Sequence, residues 1–98
     1  MENDTNIYFF ANLGDETDNQ YTIVIEEKKT VREMIAQVLD IMELKINGSI
    51  EQNLEKYGFL FGNKFLNDKK FLDLTIKEAG IKNGRTLKVY YLDKLIPA

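Results

Sequence analysis

Histidine and cysteine are both missing from this 98-residue chain. The commonest general base and the commonest reactive nucleophile are therefore unavailable, as are disulfides, thiolate metal sites and thiol chemistry. Carboxylates are left. Asp15, Glu16 and Asp18 cluster in one stretch, but their spacing lacks the regular ligand pattern and the closing bidentate Glu of a calcium loop, so they read as a solvated acidic loop. Gly58, Gly62 and Gly84 read as turn or strand-edge glycines. A phosphate loop would need a Gly-Lys-Ser or Gly-Lys-Thr ending, which is missing. The side-chain inventory predicts no enzyme, no cofactor and no metal centre.

Composition sets the frame for what remains. The chain is 44% hydrophobic and 30% charged, as in ordinary globular proteins. Its length predicts a single domain over residues 1–98, burying roughly 60–65% of its unfolded surface in one modest core. Apolar runs fall well short of the ~20 residues that span a bilayer, so no membrane insertion is expected. Met1-Glu2-Asn3-Asp4-Thr5-Asn6 is polar and acidic where a signal peptide needs basic and then apolar residues. A cytoplasmic protein is the expectation, with a monomer as the default. The net charge of −3 and pI near 4.9 argue against nucleic acid as a partner, because Lys28-Lys29 and Lys69-Lys70 are pairs and not a patch.

The elements follow from periodicity. Ile7-Tyr8-Phe9-Phe10-Ala11 is aromatic and β-branched, and Tyr21-Thr22-Ile23-Val24-Ile25-Glu26 alternates, so both read as strands joined across a long polar loop. Thr30-Val31-Arg32-Glu33 has the form of a capping box. Behind it Val31, Met34, Ile35, Val38, Leu39 and Met42 recur at three- and four-residue steps, the stripe of the main helix, with Asn47-Gly48 as the stop for it or for the turn after it. Ser49-Ile50-Glu51-Gln52 repeats the cap, and Ile50, Leu54 and Tyr57 are spaced for one face of a short second helix.

Next, Gly58-Phe59-Leu60-Phe61 and Lys64-Phe65-Leu66 flank Gly62-Asn63, a pair suited to the positive φ angles of a tight hairpin turn. Thr75-Ile76-Lys77-Glu78 is a third capping box closed by Gly80, which predicts a helical turn; a last strand covers Arg85 to Leu92. If Phe59, Phe61, Leu87 and Val89 face the core, alternation turns Leu60, Lys88 and Tyr90 outward. An outward Leu and Tyr beside lysines read as an interface hot spot or as an ordinary cross-strand pair. Phe65, Phe71, Leu72 and Leu74 read as a cover over one end of the core or, if exposed, as a second patch. Tyr91-Leu92 and Leu95-Ile96 read as a strand extension packed on the domain's own edge.

The order strand, strand, helix, strand, strand, helical turn, strand resembles the ubiquitin-like superfamily over about residues 6 to 92. Thr30, Val31, Met34 and Val38 match its helix cap and helix core, Phe59, Leu60, Phe61, Lys64 and Leu66 its third strand and hairpin, and Ile76, Ile81, Leu87 and Val89 its helical turn and last strand. The resemblance implies an α+β fold, the ubiquitin-like β-grasp: a mixed sheet, first and last strands parallel at its centre, packed on one main helix. It also implies a protein partner held on the exposed face of strands three and five, at Leu60, Lys64, Lys88 and Tyr90.

Two departures shape the functional expectation. Conjugated relatives end in a flexible Gly-Gly tail, whereas the last residues here are Tyr90 to Ala98 without a glycine pair, so a non-covalent adaptor is expected rather than a conjugated modifier. The segments 43–56 and 67–74 and the first loop are longer than in ubiquitin, as surface elements that suit a partner site or neutral elaboration. The chain also resembles the YukD and EsaB group of small ubiquitin-like proteins, through Gly80-Ile81-Lys82-Asn83-Gly84 and Leu39-Asp40-Ile41, which would imply an accessory factor of a type VII secretion system. A structural subunit, or the first domain of a longer chain, is a further alternative.

Overall fold

The computed structural model describes residues 5–14, 20–46 and 48–92. The acidic loop residues Asp15, Glu16 and Asp18, the residue Asn47, and Leu95 and Ile96 lie outside the described residues. β1 (Asn6–Leu13) and β2 (Tyr21–Glu26) form the first, antiparallel pair. Ile7, Phe9 and Ala11 on β1, with Ile23 and Ile25 on β2, are buried. α1 (Val31–Ile41) follows, then α2 (Ile50–Asn53), β3 (Tyr57–Phe61), β4 (Lys64–Phe65), α3 (Lys69–Leu72) and β5 (Thr86–Tyr91). Sheet order is β2-β1-β5-β3-β4, with β1 and β5 parallel at the centre and every other pairing antiparallel.

α1 begins where its cap dictates. The Glu33 N–H donates to Thr30 Oγ1 at 3.2 Å and the Thr30 N–H to Glu33 Oε1 at 3.0 Å, so two otherwise orphaned amides are satisfied reciprocally. Val31, Met34, Ile35, Val38 and Leu39 are all fully buried. At full burial each large apolar side chain contributes about 1.5–3 kcal/mol. Gln37, off that stripe, donates through Nε2 to the Val24 carbonyl at 3.0 Å, tying the helix to the free edge of the sheet at β2.

The helix stops earlier than Asn47-Gly48. Its C-cap is Met42, and Glu43 takes a left-handed φ of 58°. The Leu44 N–H then reaches the Leu39 carbonyl at 2.8 Å and the Glu43 N–H the Asp40 carbonyl at 3.0 Å, the paired bonds of a Schellman stop. A glutamate fills the place glycine usually takes, and so the stop carries no glycine signal. Ser49 caps α2 as its sequence indicates, but Tyr57 lies on β3 and not on that helix. A sheet position buries its ring at 4% exposure, which one turn of helix does not.

Segment 67–74 contains a helix of its own, α3, capped by Asp68, whose side chain accepts from the Lys70 N–H at 3.0 Å. Leu72 from this helix is fully buried, so the segment does cover the core; Phe65 is 53% exposed and does not. The turn from Thr75 has its box: the Glu78 N–H donates to Thr75 Oγ1 at 3.0 Å, and the Thr75 N–H to Glu78 Oε1 at 2.9 Å. It docks beneath the start of α1 through Ile76 N–H to Lys29 O at 2.8 Å and Val31 N–H to Leu74 O at 2.9 Å.

Candidate partner-binding face

With α1 on one side of the sheet, the alternate residues of each strand are left on the other. On β3 and β5 these are Gly58 and Leu60, and Thr86, Lys88 and Tyr90, in the register Leu60↔Lys88 and Gly58↔Tyr90. Leu60, Lys88 and Tyr90 are each half-buried, and Phe59, Phe61, Leu87 and Val89 are buried beneath them. The two-residue turn at Gly62-Asn63 sets Leu60 opposite Phe65 on β4, so Phe65 stands on the same face.

Two glycines flatten the floor of this face. A Cβ at Gly58 would lie 3.0 Å from Leu92 Cδ2 and 3.5 Å from Phe65 Cε1, so these two side chains close over the glycine from opposite sides. A Cβ at Gly14 would lie 3.8 Å from the Tyr90 ring, which leans against the end of the first strand pair. The Gly14 N–H donates to the Val89 carbonyl at 2.7 Å and holds that end in place. The surface therefore runs Phe65, Leu92, Leu60, Tyr90, with Lys88 between Asn12 and Leu60.

Leu60, Lys88 and Tyr90 are thus brought together. Lys64 is not. It pairs with the buried Phe61, so its side chain leaves on the helix side of the hairpin, where Nζ donates to the Ala79 carbonyl at 2.8 Å and lies 4.8 Å from the centre of the Phe71 ring. Hairpin proximity alone cannot tell which side of a ribbon a lysine takes; the register does. Phe65 and Leu92 join the face although they were not among its expected residues. For Phe65 the signal was available, because a two-residue turn places residues 60 and 65 opposite one another.

Off this face, Tyr91 lies with Leu44 and Tyr57 in a groove of about 530 Å³ at the end of α1. The Tyr57 hydroxyl donates to the Lys45 carbonyl at 2.8 Å, fastening segment 43–46 over the start of β3. The groove's rim mixes Glu43 and Glu55 with Lys45 and Lys56. Among the described residues no three carboxylates gather where they could hold a metal ion, and no helix is long and apolar enough to cross a membrane.

No family model matches the chain, and no curated protein matches it in sequence. Solved structures do match in shape. The ubiquitin-like domain of yeast Ddi1 superposes with a TM-score of 0.63 over 91% of this chain and 91% of that one, at 16% identity. The ubiquitin-like domain of an Arabidopsis thaliana protein superposes with a TM-score of 0.60 over 88% of this chain and 77% of its own, at 14% identity. A ubiquitin-like protein of Trypanosoma brucei gives 0.56 over 86% and 91%, at 17% identity. At such identities the likeness speaks for the fold alone, and together with the strand order β2-β1-β5-β3-β4 around one main helix it identifies that fold as the ubiquitin-like β-grasp.

Proposed function

We propose that this protein is a non-catalytic binding module that holds a protein partner, without a covalent bond, on the sheet face formed by Leu60, Lys88, Tyr90, Phe65 and Leu92. The observation that carries this reading is an apolar surface kept partly open on a rigid support. Phe65 is 53% exposed, and the half-buried Leu60 and Tyr90 flank the lysine between them. An aromatic and aliphatic cluster with a cation at its side matches the anchors that dominate protein interfaces. Strands with a packed helix behind them lose little entropy on docking, which favours affinity for a given contact area. The absence of His and Cys from the whole sequence supports binding rather than chemistry.

The test is a comparison of captured partners. The tagged wild-type chain and the Leu60→Ala/Tyr90→Ala double variant are used side by side, with thermal unfolding recorded for both. A protein retained by the wild type is expected to be lost by the variant. Because both side chains are only half-buried, unfolding should change by no more than about 1–2 kcal/mol. Equal retention by the variant would remove this face as the site.

A further inference from the structure

On the helix side of the hairpin, away from the apolar face, lies a depression of about 250 Å³ between the Gly62-Asn63 turn, the turn ending at Gly80 and the start of β5. Lys64, Lys82 and Arg85 line it, and among the described residues no carboxylate does. In a chain with 16 acidic and 13 basic residues this is a local reversal of sign. Several other cations sit against acids: Arg32 against Glu51 and Asp73, Lys28 against Glu26, Lys29 against Glu33 and Lys70 against Asp68. The larger groove near Tyr91 mixes its lysines with glutamates. By contrast, the side chains of Lys82 and Arg85 are exposed and have no hydrogen-bond or ion-pair partner among the described residues.

The depression is also prepared for a ligand in its geometry. The Lys64 ammonium is held at the wall by the Ala79 carbonyl, 2.8 Å away, and by the Phe71 ring. One of its three N–H donors is used there and two remain. Gly62 and Gly80 both have positive φ, at 61° and 80°, and a Cβ built on either meets nothing within 4 Å, so a ligand can approach the backbone at both turns.

We propose that this depression binds a phosphate dianion carried on a side chain of a protein partner. A phosphorylated residue brings a charge of about −1.5 to −2 and three strong acceptor oxygens, which suits a guanidinium fork flanked by two ammonium groups. Three cations exceed a carboxylate's single charge by two and a phosphate's charge by only about one. A nucleic acid or an anionic bilayer presents an extended array of charges and would meet the acidic remainder of this surface, whereas one side-chain phosphate needs only the local field within a Debye length. The site stands apart from Leu60 and Tyr90 and does not rest on the reading of that face.

The test titrates the isotope-labelled full chain at low salt with a short Gly/Ser peptide carrying one phosphoserine. The unphosphorylated peptide, inorganic phosphate, phosphatidylserine vesicles and a short single-stranded RNA serve as comparators. The phosphopeptide is expected to shift the backbone amides of Gly62, Gly80, Lys82 and Arg85 to saturation, the unphosphorylated peptide not at all, and inorganic phosphate more weakly at the same amides. The Lys82→Ser/Arg85→Ser variant should bind the phosphopeptide about tenfold more weakly or worse, with its unfolding midpoint unchanged. Failure of those amides to saturate, or undiminished affinity in the variant, overturns the site. Inorganic phosphate binding as tightly as the peptide overturns the protein source, and tighter binding of vesicles or RNA reassigns the site to that class.

Discussion

At the scale of single residues, Asn67 does the most for its size. Its Oδ1 accepts from the Phe59 N–H at 2.7 Å, and its Nδ2 donates to the carbonyls of Tyr57 at 2.7 Å and Leu54 at 2.9 Å. One side-chain amide thereby replaces the backbone pairing that β4, only two residues long, does not supply to the first half of β3. Asn67→Ala should destabilise the protein by about 2–3 kcal/mol, since it strands a donor and two acceptors in a half-buried setting; chemical denaturation with an unchanged slope would verify this. None of it was legible in the sequence, where Asn67 reads as one more polar loop residue. Leu60, Lys88 and Tyr90 were legible, because strand alternation is a strict period of two. Lys64 is the instructive contrast. Its register opposite Phe61 sends the charge to the helix side of the ribbon, to an acceptor fifteen residues away at Ala79.

Among the elements, the helical ones announced by capping boxes were read from sequence, and a stop without a glycine or a helix without a box or a long stripe was not. The boxes at Thr30, Ser49 and Thr75 all form. The stop of α1 was hidden because Glu43, at φ 58°, does a glycine's work. A left-handed conformation costs a side chain with a Cβ roughly 1–2 kcal/mol, partly offset because glycine loses more entropy on folding. Glu43→Gly is therefore expected to raise stability by about 0.5–1 kcal/mol, measured as a higher denaturation midpoint; a lower midpoint would show that the glutamate side chain contributes something the backbone does not. α3 was missed because four residues beginning Lys69-Lys70 have too little periodicity to stand out from a charged loop.

For the molecule as a whole, one hydrophobic core joins residues from both strand pairs, α1, α3 and the turn before β5. Arg32 ties its helical side together, contacting Glu51 on α2 at 2.6 Å and Asp73 after α3 at 3.3 Å. That guanidinium holds the Glu51 carboxyl below its ordinary value of 4.5, and the Thr30 backbone N–H does the same for Glu33. Both carboxyls are thus easier to ionise in the folded state, so their stabilisation is fully present above the ordinary glutamate range and is lost as pH falls through their lowered folded values. An acid titration of unfolding free energy should decline below about pH 4.5. Glu33→Gln, which keeps an acceptor for the cap but cannot titrate, should make that decline shallower; an unaltered slope would assign the acid sensitivity to other groups.

What the sequence determined by itself is whatever depends on near neighbours. Caps, the helix stripe, the tight hairpin and the inward and outward faces of strands are set by local backbone geometry and by the need to bury every second or every third to fourth residue. The order of elements was enough to imply the β-grasp. Only the tertiary structure decided which distant residues share a surface. The parallel pairing of β1 with β5 and the antiparallel return of β3 carry Phe65 and Leu92 over Gly58, and the docking of the turn at Gly80 brings Lys82 and Arg85 to Lys64. Such meetings depend on where strand ends and long side chains come to rest in three dimensions, and no period within a short stretch of chain encodes that.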